Sequence, residues 1–381
     1  MIHSDFGFPE VVSYLARSGW RRSLAGDFAE IWQYLLDENV TVMVPKVETA
    51  PDFNRTVQVL TRELAQTENR NASEIEQEIL RQFLDVTDLR AQGDEIADGT
   101  IPLGAGINLF NSANRLMVSA AAATINRKGY YGRSIPHAAH DHARRLRLGQ
   151  TRPGSYVVPI ISNARFGAAI EYRRDEPRLD IQSDDQRFDR RVLTTLSRAL
   201  ETLAEMTTVR DRLPSTDDII SSVDEGVSSE LCSAVLGVIK QGVSTFDVSF
   251  KWAPAAPVPV DLRDHVEFTN ESVLAVDEVK SKLKKSKTPT EQVVFGVIRR
   301  LSLSKNEDKG TVHMETAIHG KSRMVSFTLD LQTYRRAALY HGERRPVVVT
   351  GTLDDTPGKG ATMKVRSFSA DRSVSSFDDV I

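Results

Sequence analysis

The chain has 381 residues, 40% hydrophobic and 27% charged, a balance that predicts two or three domains with their own cores and excludes a disordered or fibrous protein. Its formal net charge of −3 hides an asymmetry: nineteen Lys and Arg face nine Asp and Glu between Lys280 and Arg372, whereas residues 1–279 carry thirty against forty-one. A basic C-terminal block on an acidic body predicts an anionic partner, or contact with the protein's own acidic part.

The single cysteine, Cys232 in LCSAVLGVIK, excludes an internal disulfide and reads as a small buried hydrophobe, which fits a reducing compartment. The start, MIHSDFGFPEVV, lacks a basic region followed by an apolar core, and the apolar run LMVSAAAATI is about half a membrane span. These features point to a cytoplasmic protein with no membrane partner.

In chain order, PEVVSYLARSGW predicts a helix with Val11, Tyr14 and Leu15 on one face. WRRSL, AEIWQYLL and NVTVMVPK follow as strands, and Asp52 caps a second helix through Phe53, Val57, Leu60 and Leu64. This order over residues 1–70, with a Gly-Trp pair after the first helix and V-x-V-P closing the third strand, resembles the small fold shared by double-stranded RNA-binding domains and HicA-type toxins. Those toxins carry a catalytic strand histidine. The matching stretch GDFAEIWQYLL has none, so the resemblance implies topology without ribonuclease chemistry.

Residues 71–279 read as one mixed α/β domain. A helix and a strand come first, then a long helix in LGAGINLFNSANRLMVSAAAATINR with Leu109, Ala113, Leu116, Ala120 and Ile125 near one face. Gly104 and Gly106 at its start fit a turn and cap; the G-x-G has no third glycine. GSYVVPIIS is a strand, RRVLTTLSRALETLAEMTTV an amphipathic helix through Val192, Leu196, Leu200 and Leu203, and SELCSAVLGVIKQG a helix closed by Gly242. STFDVSFKW alternates as a strand, with Phe246, Val248, Phe250 and Trp252 on one side.

This domain holds the densest candidate for chemistry, GRSIPHAAHDHARRLRLGQTRPGSY. His137 and His140 share a helical face with Asp141 close behind, but the run offers no full zinc ligand set. The same stretch makes a basic patch of Arg127, Lys128, Arg144, Arg145, Arg147 and Arg152, which either contacts phosphates or pairs with carboxylates around residues 171–191. No P-loop, G-x-S-x-G or H-E-x-x-H occurs, and the E-x-K within Asp277–Lys280 lacks the upstream strand that metal nucleases require. No catalytic residue, metal or cofactor is assigned.

Residues 280–290, with Lys282, Lys284 and Lys285, read as a solvated lysine-rich linker. From Glu291 the order is β-β-β-α-β-β, with Gly296 inside the long first strand EQVVFGVIRRLSLS and Gly351 in the fourth. Over residues 291–370 this order resembles the OB-fold, a five-stranded barrel with a helix between strands three and four. Its long first strand must bend to pair with two neighbours, and a glycine is the device for that bend. The helix LQTYRRAALYHGER is expected to face inward through Leu331, Tyr334, Ala338 and Leu339.

The OB-fold resemblance implies a ligand face on strands two and three flanked by the loops SLSKNEDKG and DDTPGKGAT. It gathers Arg299, Arg300, Lys305, Lys309, His313, Lys321, Arg323, Lys359, Lys364 and Arg366 into a phosphate track together with the linker lysines. The acidic tail, residues 371–381, resembles the tip by which bacterial single-stranded DNA-binding proteins recruit partners, without their terminal Pro-Phe.

The sequence thus predicts an α+β multidomain protein: a non-catalytic nucleic-acid-binding subunit of a bacterial assembly, in DNA processing or antiviral defence by analogy. Its partners would be single- or double-stranded nucleic acid and other protein subunits. Two alternatives stand beside it. One is an adaptor whose barrel docks a protein; the other is a metal-dependent hydrolase built on His137 and His140.

Overall fold

The computed structural model describes residues 7–96, 99–151, 155–163, 181–207, 213–240, 242–256, 261–285, 291–303, 308–318, 321–354 and 360–371, with residues 181–187, 317–318 and 321 as backbone only. They form two compact units: Met1–Asp85 with Trp252–Val258, and Val86–Lys251 with Pro259–Ile381. No described helix is long and apolar enough to cross a membrane.

In the first unit, α1 (Phe8–Arg17) leads into the antiparallel sheet β1 (Trp20–Ala25), β2 (Ala29–Tyr34) and β3 (Asp37–Pro45), followed by α2 (Phe53–Thr67) and α3 (Ala72–Leu80). Gly19, at φ +82°, supplies the left-handed residue that lets the chain leave α1 and enter β1. The predicted apolar faces close on one another: Val11, Tyr14 and Leu15 meet Trp20, Trp32, Val42 and Val44 of the sheet and Phe53, Val57, Leu60 and Leu64 of α2. Glu68 at the end of α2 fastens this core, accepting hydrogen bonds from Tyr14 Oη at 2.6 Å and Trp20 Nε1 at 2.9 Å. Asp52 occupies the N-cap position as expected but makes no side-chain cap bond.

The second unit has a helical layer on a five-stranded sheet. The strands are β4 (Leu84–Gln92), β6 (Arg147–Leu148), β7 (Tyr156–Asn163), β8 (Thr245–Lys251) and β9 (His265–Thr269), in the order β6-β7-β4-β8-β9; β5 (Asn126–Arg127) joins a different sheet. The helices are α4 (Leu103–Ile125), α5 (His137–Arg145), α6 (Ile181–Thr207), α7 (Thr216–Ser221), α8 (Ser229–Ile239) and α9 (Val273–Lys285). Helix α4 packs against α5, α6 and α8. It therefore has no solvent face between Leu116 and Thr124, where every residue is buried. Ile125, expected on the packed face, is only half-buried. Small residues make this density possible: a Cβ on Gly237 of α8 would lie 2.6 Å from Ser112 Oγ of α4. Cys232 is buried in the same layer, which pushes its thiol pKa up.

Lys280–Lys285, expected in a solvated linker, instead forms the last turns of α9, whose Val279 and Leu283 are fully buried. The lysines ride on the outer side of an amphipathic helix, and three buried residues, Val276, Val279 and Leu283, are too few to mark a helix in so charged a stretch.

A five-stranded barrel completes the unit: β10 (Glu291–Ser302), β11 (Lys309–Ile318), β12 (Lys321–Asp330), α10 (Leu331–Gly342), β13 (Val347–Asp354) and β14 (Ala361–Ala370). Strand β10 pairs with β13 through its first half and with β11 through its second, β13 with β14, and a parallel β12–β14 pair closes the ring. Gly296 is the residue shared by both ladders, opposite Val347 on β13 and Thr316 on β11. A Cβ there would stand 2.2 Å from the Glu315 carbonyl oxygen, so the backbone comes too close for any side chain. Gly351 repeats the device at a bulge in β13, 2.1 Å from the Lys364 carbonyl oxygen by the same measure.

Val294, Ile298, Val312, Met314, Val325, Phe327, Val347, Val349 and Phe368 fill the interior. Asp330 caps α10 by accepting from Thr333 N at 3.0 Å. The inward face of α10 differs from expectation: Ala337 is fully buried with Tyr334 and Tyr340 beside it, while Ala338 is exposed and Leu339 is 58% exposed. Tyr334 lies over Gly310, whose missing side chain leaves space for the ring.

Candidate nucleic-acid interface

Strand alternation in the barrel sends the apolar set inward and leaves an outer surface on β11, β12 and β14 that is polar but for the exposed Met324. His313 of β11 is opposite Ser326 of β12, and Ser326 is opposite Thr362 of β14. His313 Nδ1 and Ser326 Oγ are 2.8 Å apart. Around this strip the expected cations divide into two groups.

Three are committed to carboxylates. Arg299 Nε donates to Glu315 Oε2 at 2.6 Å, and Ser322 Oγ donates to the other Glu315 oxygen at 2.7 Å. Burial opposes ionisation of Glu315, but these two donors hold its carboxyl below the usual range. Arg366 reaches Glu291 at 2.7 Å and also binds Asp224, and Lys282 pairs with Glu278 at 3.2 Å.

Arg300, Lys309, Arg323 and Lys364 on the barrel, with Lys284 and Lys285 on α9, are exposed and make no ion pair among the described residues. Lys321 is described by its backbone alone, and Lys305 and Lys359 lie outside the described residues. None of the barrel's five aromatic rings is exposed: Phe327 and Phe368 are core, Tyr334 and Tyr340 pack on it, and Phe295 is half-buried under Arg191, 4.0 Å from its ring centre. The barrel's outer face therefore presents unpaired cations but no exposed aromatic ring among the described residues.

The second basic stretch does not form one surface. Arg144 pairs with Asp141 at 2.9 Å, and Arg145 with the buried Asp189 at 2.8 Å. Lys128 Nζ donates to Ser134 Oγ at 2.9 Å, Arg147 is exposed on β6, and Arg152 lies outside the described residues. His137 and His140 are exposed on α5, and no group of three His, Cys, Asp or Glu among the described residues is placed to hold a metal. The next histidine, His142, is fully buried with Nδ1 2.7 Å from Asp189 Oδ1 and its ring edge-on to Phe188. It staples α5 to α6.

Arg127 leaves the patch altogether. As part of β5 it pairs with Glu291 of β10 and lines a cavity of about 420 Å³ between the barrel and α6. Arg191 and Arg198 of α6 and Arg366 of β14 line the same cavity, facing Asp224, Glu225 and Asp371. The spacing of Arg191 and Arg198, seven residues apart in α6, places them on one helical face. That spacing is the one sequence signal for this site, and it is hidden within the amphipathic pattern of α6. Gly226, at φ +101°, makes room for Arg127: a Cβ there would lie 2.8 Å from its Nη1.

No family model, curated protein or solved structure matches the chain.

A third charged cluster, on the five-stranded sheet, compensates itself. Lys251 Nζ is 2.7 Å from Asp88 Oδ2, and Asp247 sits between Arg90 Nε at 3.9 Å and His265 Nε2 at 3.7 Å. Burial pushes the Asp247 carboxyl up, against the pull of His265 and Arg90. Acids and bases alternate across adjacent strands.

Proposed function

We propose that the protein binds nucleic acid through the outer surface of its C-terminal barrel, by phosphate contacts with little base readout. The carrying observation is that Arg300, Lys309, Arg323 and Lys364 project from the barrel without ion-pair partners among the described residues, while Arg299 and Arg366 are held by carboxylates. Surface cations without such partners can turn to phosphate freely, whereas paired ones must first break an ion pair. The strand order, with a helix between the third and fourth strands, supports an OB-like reading, and the polar strip of His313, Ser326 and Thr362 lies where such barrels take oligonucleotides.

With no exposed ring on the barrel, affinity comes from charge and falls steeply with salt. The test is fluorescence anisotropy of the full chain with labelled single- and double-stranded DNA and RNA at two salt concentrations. The comparison is a variant carrying Arg300→Ala, Lys309→Ala, Arg323→Ala and Lys364→Ala. The expected result is salt-sensitive binding whose log–log slope is shallower in the variant by roughly 0.7 to 0.9 for each phosphate no longer neutralised. Absence of binding at low salt, or an unchanged slope in the variant, overturns the reading and favours a protein-docking barrel.

A further inference from the structure

Four guanidiniums and three carboxylates line the cavity between α6 and the barrel: Arg127, Arg191, Arg198 and Arg366, with Asp224, Glu225 and Asp371. Arg191 is matched by Asp371 and Arg366 by Asp224, but Arg127 and Arg198 make no ion pair among the described residues. Arg127 Nη1 is closed off from solvent with no hydrogen-bond partner. Burial pushes the Arg127 guanidinium's pKa down, against the pull of Tyr131, Glu225 and Asp224, with Arg198 adding a smaller push in the same direction as burial. Two guanidiniums without ion-pair partners among the described residues share this wall with Glu225, an arrangement that a further anion would stabilise.

We propose that this cavity binds the terminal phosphoryl group of a nucleotide-sized ligand, held between Arg127 and Arg198. Guanidinium forks match tetrahedral phosphate oxygens, and a phosphate monoester has oxygens enough to accept from both side chains at once. The volume of about 420 Å³ lies in the range of small-ligand pockets. Selectivity for a base is not built in: the one aromatic face on the cavity wall, Phe295, is covered by Arg191. The site therefore recognises the phosphoryl group itself, supplied either by a free nucleotide or by the 5′-phosphate of a strand. This proposal does not rest on the strand-binding reading of the barrel surface, since it uses none of the cations assigned there.

The experiment is isothermal titration calorimetry of the full chain with pyrophosphate and with ADP, repeated on Arg198→Gln and on Thr350→Glu, which places a carboxylate on the cavity wall. Binding of both ligands that weakens by at least about tenfold in each variant is expected, since a charged hydrogen bond is removed or opposed. No binding to the wild-type chain, or binding that survives both substitutions, overturns the proposal. Should Arg198→Gln lose its circular dichroism signal, Thr350→Glu alone decides, because it removes no buried charge. Oligonucleotides with and without a 5′-phosphate identify the source. Preference for the phosphorylated strand, abolished in Thr350→Glu, assigns a strand end; equal binding of the two strands alongside ADP binding assigns a free nucleotide.

Discussion

Arg191 Nε donates to Asp371 Oδ2 at 3.1 Å, joining residues 180 positions apart, both buried. The bond ties helix α6 to the residue that follows the last barrel strand, and the same guanidinium lies over the ring of Phe295 on the first. Asp371→Ala would leave a buried guanidinium without this carboxylate, at a cost of about 3 kcal/mol. Urea unfolding of the full chain measures it. The double change Arg191→Met with Asp371→Leu should recover part of the loss, because it removes both members of the buried pair and not one alone.

Gly226 stands where neither backbone nor neighbours accept a side chain. Its φ of +101° disfavours any L residue, and a Cβ would approach Arg127 Nη1 at 2.8 Å and Thr195 Cγ2 at 2.9 Å. Gly226→Ala should destabilise by about 2 kcal/mol and shift Arg127. A thermal melt reads the first effect, and weakened pyrophosphate binding the second.

Gly296→Ala is expected to be more damaging than substitution at an open glycine. The obstacle at 2.2 Å is a backbone carbonyl, which cannot rotate away as a side chain can. A loss of about 3 kcal/mol is expected, against a change within about 0.5 kcal/mol for Gly342→Ala in α10, where a Cβ meets nothing. Chemical denaturation of both variants makes the comparison.

Asp247 gives a pH dependence of definite sign. Because burial raises its folded pKa above the unfolded value, the unfolded chain releases this proton first as pH rises. The group therefore costs no stability below the unfolded pKa. Its penalty grows through the window between the two values and is complete above the folded pKa. Asp247→Asn should raise the melting temperature at neutral pH, and the gain should disappear in strongly acid solution. A melting series from neutral to acid pH tests this; a gain that persisted in acid would assign it to packing.

Where periodicity is unbroken, the sequence is a reliable guide. The core residues Val11, Tyr14 and Leu15 of α1, the alternation in β8 and the barrel's element order can all be read from spacing, because burial of one face imposes the period directly. The glycine in β10 is legible for the same reason: a residue that weakens a strand must be there for backbone geometry. Two kinds of feature escape. The lysines of α9 mask a helix because three buried residues are too few to dominate a charged stretch. The cavity escapes because its parts, Arg127, the arginines of α6, and Asp224, Arg366 and Asp371, are brought together only by tertiary packing. Of that site the sequence offers only the seven-residue interval from Arg191 to Arg198.

Asn126 and Arg127 extend the barrel's sheet by one short strand, lying against Glu291 and Gln292 at the start of β10. A barrel excised at residue 291 would thus begin with a bare strand edge, and it would carry Arg366 without Asp224 and Asp371 without Arg191. Such a fragment should self-associate through that edge. The barrel is therefore not a detachable cassette: the piece of chain that finishes it is encoded some 165 residues earlier, at the end of the helix on which the neighbouring layer is built.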